Sequence, residues 1–461
     1  MIKKITSKAL KISILASLLM NTASAMPLSL NESIELALKN DESIESAEYS
    51  RELAKWNLSA VRRQGGFSLN WNSQALRIGG NDYEALRERH DLYGTGAYNN
   101  TFSNSLSLSI PLYTGGKLEN NIKNSRYAIN SADLTLENTR QTVKYQVVEA
   151  YYNVLQNQNI VEVNKSAVNM SAEQLNLLQI QYEEGSIAYS DVLQMEVQMA
   201  NYSQNLTSSE STLAVSKSTL LSLIELPENT EIELTDKFLY TPYEMTLEMC
   251  QQYATENRPD LAAAIYNVNQ AEASVSVAKS GNRPQITGIA SKSISSNNAF
   301  KNDRSDNWQA GLSLSWSIFD NQITSANVHA AKSEVQRLKA NVDAVNKNIS
   351  LQVNAAYTRM RAAEENIKLN ETAVKQAEES YQISIIRHVE GVDILLNVTN
   401  AQDKLTQAKT NYYTSLYQYN LYRAQLEKAM GIPVGFNVPL YIEVAQEGKS
   451  ATKALEAAEI Q

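Results

Sequence analysis

The sequence predicts a mainly α-helical chain with a β-barrel portion, built as a tandem duplication of one unit: helix, strand hairpin, long helical hairpin. Three observations carry this. Lys117 to Glu184 contains neither Gly nor Pro, Gly185 interrupts, and Ser186 to Leu226 again lacks both; the same object returns as Leu312 to Glu390, Gly391, and Val392 to Met430. Sliding the first copy by 206 positions lays Gln146 on Gln352, Val147 on Val353, Ala150 on Ala356, Tyr151 on Tyr357, Val168 on Val374, Glu184 on Glu390, Gly185 on Gly391 and Pro227 on Pro433 without a gap. Finally, segments of period two precede each long stretch.

The first residues, Met1 to Ala25, carry four lysines, an apolar run Ile12 to Met20 and then Ala23-Ser24-Ala25. This is the layout of a secretory signal cleaved after Ala25. The run is about half the ~20 residues a spanning helix needs, which disfavours a membrane anchor. Taking the four lysines off the formal charge of -9 leaves -13. So acidic a chain argues against nucleic acid as a partner. Cys250 is the single cysteine, so no intrachain disulfide or Cys-rich metal site is available.

Leu28 to Val61 reads as helical, with Leu28, Ile34, Leu36, Ala37, Ile44, Ala47, Leu53 and Trp56 as its apolar positions. Thr246 to Ala278 repeats it at an offset of 217, so the first copy holds 11 residues more before its long stretch, in a loop Gly79 to Asn99. Around that loop Phe67, Leu69 and Trp71, then Phe102, Leu106, Leu108, Ile110 and Leu112, alternate with polar residues, mostly serine after the loop. These are strands with one apolar and one polar face. In the second copy Trp308, Ala310, Leu312, Leu314, Trp316 and Ile318 alternate in the same way. They pair with a weaker strand near Pro284 to Ile294 across the turn Ser295 to Asp306.

The long stretches predict helices of roughly 100 Å, which need partner helices along their length. In the second copy the seam is Val353, Ala356, Met360, Ala363, Ile367, an interruption at Asn370, then Val374, Ala377 and Tyr381. Steps alternating three and four are those of a coiled coil. Gly (16) and Pro (8) are few in 461 residues, so loops are few; aromatics are only 7%, which suits helices packed through small side chains.

The domain reading is a signal over 1–25 and a first repeat over 26–227, with a strand hairpin 66–113 and a helical hairpin 117–226. A linker 228–244 leads to a second repeat over 245–433, with a strand hairpin 284–319 and a helical hairpin 320–430. The C-terminal segment 434–461 ends in a frayed tail. Four strands cannot close a barrel alone, and left open they present bare edges. Several chains pooling their hairpins solve this, whether two, three or four; a soluble sandwich gives the long helices nothing to continue from. For an exported chain without a transmembrane helix, the pooled solution is an outer-membrane barrel.

The leader, the duplicated unit, the junction Pro111-Leu112-Tyr113-Thr114-Gly115-Gly116 and the turns Glu184-Gly185-Ser186 and Glu390-Gly391-Val392 resemble the TolC family of outer-membrane efflux proteins. The resemblance covers nearly the whole chain after the leader. It implies a homotrimer whose 12 pooled strands form one outer-membrane β-barrel, set in lipid and continued by a 12-helix periplasmic α-barrel. It also implies a periplasmic adaptor protein docking at the helical tips, Gly185 and Gly391, and an inner-membrane pump or ABC transporter supplying the energy. No cofactor is implied.

A carboxylate pair that commonly rings the family's pore constriction falls here on Asn397 and Asn400. An acid and a hydroxyl after the first turn match Asp191 and Ser190, whereas their Arg and Tyr partners fall on Asp393 and His388. The plain reading of His388 is a solvated imidazole on a helix end; the sharper one is a pair between Asp191 and His388, tighter in acid, with a nearby Asp393 repelling Asp191 and weakening closure at neutral pH. The expected function is the passive channel of a tripartite efflux or type I secretion system, gated at its periplasmic tip. The competing reading is a structural coiled coil of the cell envelope with no transport role. An enzyme is not expected: His90, His329 and His388 are far apart, and no phosphate loop, HExxH or nucleophile elbow occurs.

Overall fold

The computed structural model describes residues 26–77, 100–296 and 304–448, with residues 80, 85, 88 and 89 between the first two spans. The leader, most of the loop Gly79 to Asn99, the middle of the turn Ser295 to Asp306 and the end of the tail lie outside the described residues. In chain order the elements are β1 (Met26–Leu28), α1 (Leu30–Asn40), α2 (Glu42–Arg63), β2 (Ser68–Arg77), β3 (Asn100–Tyr113), α3 (Lys117–Glu183), α4 (Tyr189–Leu223) and β4 (Ile232–Leu234). Then follow α5 (Leu247–Asn257), α6 (Pro259–Lys279), β5 (Gln285–Ser296), β6 (Arg304–Ser315), α7 (Ile323–Val389), α8 (Leu395–Met430) and α9 (Val438–Gln446).

Both helices expected to lead a repeat are broken in two. Asp41 ends α1 and restarts the chain, its carboxylate accepting from the backbone N–H of Ser43 (2.8 Å) and Ile44 (3.2 Å). Pro259 does the same in the second copy, because its ring removes the donor an uninterrupted helix would need and suits the first turn of a new one.

The chain divides into two compact units. The first holds the described residues up to Ser46, Asn138–Arg258 and Asn348–Gly435. Here the coiled-coil seam is as expected: Val353, Ala356, Met360, Ala363, Ile367 and Tyr381 are buried. Val374 and Ala377 are half-buried. The interruption at Asn370 has a purpose, since its amide donates to the Asn411 carbonyl on α8 (3.3 Å). Asn164 makes the equivalent bond to the Asn205 carbonyl on α4 (3.5 Å), so the duplication extends to the register within each helical hairpin.

In the same unit the segment 228–244 is more than a connection. Its strand β4 pairs in parallel with β1, Met26 opposite Ile232. Asp236 accepts from the Leu30 N–H and the Tyr151 hydroxyl, both at 2.8 Å, and Phe238 stacks on Tyr152. Further on, Tyr240 donates to Glu364, Tyr419 donates to the Thr241 carbonyl, and Arg361 donates to the Tyr243 carbonyl (2.9 Å). The linker is therefore fastened to the first copy by its early residues and to the second by its later ones.

The second unit holds Ala47–Glu137, Pro259–Lys347 and the described residues from Phe436 onward. Its four strands form one antiparallel sheet in the order β2-β3-β5-β6. The register sets Leu69 against Leu108 and Trp71 against Leu106, Leu108 against Ala290, and Ala290 against Ala310. Side chains alternate along a strand, so these residues share one face while Ser103, Ser105, Ser107 and Ser109 share the other with Asn70, Asn72 and Ser291. The apolar face is bare: Trp71 is 74% exposed and Trp308 78%. The helix α9 lies within the segment read as ending in a tail. It packs Val438, Tyr441 and Ile442 against Tyr127, Leu134, Ala262 and Tyr266. Asp133 accepts from the Tyr441 hydroxyl (3.1 Å) and pairs with Arg51; burial pushes its carboxyl up despite both partners.

Candidate functional site

The candidate site is the pair of turns where the long helices reverse. Both are glycine turns of one construction. Gly185 has φ 74° and Gly391 φ 71°, a left-handed conformation that side chains with a Cβ adopt at a cost. The Ser186 N–H reaches back to the Gln181 carbonyl (2.8 Å) and the Gly185 N–H to the Tyr182 carbonyl (2.9 Å). In the second copy Val392 bonds Arg387 (2.9 Å) and Gly391 bonds His388 (3.0 Å). This is the Schellman arrangement, which satisfies the last carbonyls of a helix. A Cβ at either glycine would meet nothing within 4 Å, so the backbone angle alone calls for glycine.

The two turns are braced differently. At the first, the rings of Tyr182 and Tyr189 lie 5.2 Å apart across the reversal. At the second, Asp393 takes that place. Its carboxylate accepts from the Ile394 N–H (3.0 Å) and the Asn397 amide, and the Arg387 guanidinium approaches to 3.5 Å. The Asn397 hydrogen bond, helped by Arg387, holds the Asp393 carboxyl below its usual range.

The expected residues are thus partly brought together. Asp393, His388 and Asn397 form one group: His388 Nδ1 lies 3.1 Å from the Asp393 carbonyl oxygen. Asn400 lies one turn beyond Asn397 on the same exposed face of α8. Ser190 is exposed, and Asp191 half-buried, in the first turn of α4. The expected pair between Asp191 and His388 is not formed within the chain. His388 gives its Nδ1 to its own turn, and its Nε2 is buried without a hydrogen-bond partner. Nor is Asp393 an unneutralised charge, because Arg387 answers it. Sequence reasoning misses Arg387, although it stands beside His388 and six positions before Asp393.

Behind the turns the two copies interlock through α8. Leu395 packs with Leu178, Val192 and Met195 of the first copy. Asp403 accepts from the Tyr202 hydroxyl (2.6 Å) and the Gln198 amide (3.1 Å), and Gln402 donates to the Ala167 carbonyl (2.9 Å). Burial, reinforced by Asp403, pushes the Tyr202 phenol well up, so it stays a donor. Among the described residues no group of three His, Cys, Asp or Glu is placed to hold a metal ion, and no helix is long and apolar enough to cross a membrane.

The family model for the outer membrane efflux protein matches residues 33–224 and again 251–432, one match per repeat. The outer membrane efflux protein BepC of Brucella suis is 22% identical over 311 residues, 67% of this chain and 67% of its own length. The alkaline protease secretion protein AprF of Pseudomonas aeruginosa is 23% identical over 438 residues, 90% of this chain and 88% of its own. The crystal structure of the outer membrane protein VceC from Vibrio cholerae superposes with a TM-score of 0.74 at 18% identity, covering 87% of this chain and 96% of that one, which shows a shared fold. With both repeats matched, the chain belongs to the outer membrane efflux protein family of TolC-like channels, seated in the Gram-negative outer membrane and extending into the periplasm.

Proposed function

We propose that three copies of this chain assemble into one passive conduit, with 12 pooled strands in the outer membrane and 12 long helices across the periplasm. The observation that carries this reading is the four-stranded sheet whose outer edges, on β2 and β6, pair with no described strand while its apolar face is bare. A lone sheet of this kind is a liability in water; pooled and closed, it is a lipid-facing wall with a serine-lined interior. The count of three rests on the family.

In this reading Gly185 and Gly391 mark the periplasmic tips where an adaptor docks, and an inner-membrane pump or ABC transporter drives export. Ser190, Asp191, His388, Asp393, Asn397 and Asn400 stand around the gate. The helices exchange one packing for another on opening, with the Arg387–Asp393 pair and the Asp403 bonds among the contacts that change. A neutral ring at Asn397 and Asn400 gives weaker cation selection than a carboxylate ring. The chain acts without chemistry of its own.

The test is direct. Detergent-extracted protein should run as a trimer and open ion-conducting pores in a planar bilayer. A detergent-free monomer that opens none would sink the conduit and favour a structural coiled coil.

A further inference from the structure

Away from the turns, three sulfur atoms meet at one point in the first unit. The Tyr243 hydroxyl lies 3.4 Å from Met430 Sδ, 3.6 Å from Met245 Sδ and 3.9 Å from Cys250 Sγ. These come from separate places: Met430 is the last residue of α8, Cys250 sits in the first turn of α5, and Met245 precedes that helix. Cys250 is 0% exposed and Met430 2%. The phenol has one proton to give, and three soft acceptors surround it. Sulfur accepts that proton weakly, so the hydroxyl leaves most of their donor capacity unused.

We propose that Met245, Cys250 and Met430 form a binding site for a soft monovalent cation, Cu(I) or Ag(I), held by two thioethers and one thiolate. Thiolate and thioether ligands select such ions. Measured from the phenol oxygen, Met430, Met245 and Cys250 lie about 1.1, 1.3 and 1.6 Å beyond a bonding distance of about 2.3 Å; the three rotatable bonds of each Met supply the approach of the thioethers, and an ion seated nearer Cys250 shortens the third distance. Tyr243 belongs to the stretch between β4 and α5, where its backbone carbonyl is held by Arg361 while its ring is only half-buried. Swinging the phenol outward leaves its position between the sulfurs to the ion.

The step balances simply: the Cys250 thiol loses its proton to solvent, the thiolate binds the cation, and the two thioethers donate lone pairs without redox change. Burial pushes the Cys250 thiol up, so the ion competes with a proton. The charged groups around the cluster are Arg361 on α7, which acts on Cys250, and Arg423 and Glu427 on α8, which act on Tyr243.

Purified full-length protein in detergent is titrated against a coloured Cu(I)–bicinchoninate complex, with Ag(I) as the redox-inert control. The expected result is equimolar Cu(I) withdrawn per chain. Cys250→Ser and Met430→Leu should each weaken it by at least about tenfold, whereas Tyr243→Phe retains it. Both sulfur variants keep side-chain size closely, and trimer yield checks that they fold. No withdrawal by the parent, a Cys250→Ser protein that binds equally well, or loss of binding in Tyr243→Phe would each overturn the site.

Discussion

Glu364 has little access to water and two donors: Tyr240 gives it a hydrogen bond, and Arg361 Nη1 lies 2.7 Å from its second oxygen. Burial alone would raise its carboxyl, but these partners outweigh burial and hold it below the usual glutamate range. The Tyr240 phenol is pushed up to about 12, chiefly by that same hydrogen bond. A depressed acid adds stability that is full above its unfolded pKa and is lost as pH falls through the folded value. Glu364→Gln should therefore cost about 1.5–3 kcal/mol at neutral pH. It should also flatten the loss of thermal stability that the parent undergoes below about pH 4. Melting curves of both proteins at the two pH values check this. Little at this scale is legible in sequence, because Tyr240 and Glu364 are 124 positions apart. The same limit hides the bond from Tyr202 to Asp403. Arg387 lies closer to hand, but its partner Asp393 is reached only once the turn is built.

Among the elements, the glycines that end helices separate into two kinds. Gly185 and Gly391 need only their backbone angle, so replacing either by Ala should cost about 1–2 kcal/mol and loosen only its own turn. Gly431 has φ 74° as well, but there a Cβ would lie 2.6 Å from the Asn257 carbonyl oxygen and 3.0 Å from Arg258 Cα. Backbone atoms do not yield, so Gly431→Ala should cost about 1–3 kcal/mol beyond the angle and lower the melting temperature of the whole unit. Hydrogen exchange at the two tips against global melting tells the cases apart. The first copy puts Glu225 at the position equivalent to Gly431, with φ 55°, so the duplicated chain path is kept where the residue is not. Elements are the most legible level: the period-two segments are strands in β2–β3 and β5–β6, and the long helices start and stop within a few residues of their glycine and proline marks, except that α7 begins only at Ile323 because the Gly- and Pro-free stretch from Leu312 first completes β6 as far as Ser315. Strand β4 escapes because three residues carry no period, and the breaks at Asp41 and Pro259 escape because the apolar pattern runs through them.

At the scale of the whole molecule, the serine face and the apolar face of the sheet should respond differently to charge. Leu108→Lys puts an ammonium on the face read as lipid-facing and should cost about 2–4 kcal/mol of membrane stability. Ser107→Lys, one residue away on the opposite face, should cost far less. The fraction of folded protein surviving graded heating in mild detergent compares them; equal losses would refute the assignment of faces. The alternation of serine with leucine makes this division legible in the chain itself. The count of copies is not legible there, since edges record only that something must pair with them. Those two unfinished edges have a consequence for biogenesis. On the proposed pooling, a newly exported chain has no complete wall of its own, so it must be kept from wrong pairings until sister chains arrive. The yield of finished channels should climb more steeply than in proportion to the rate of secretion.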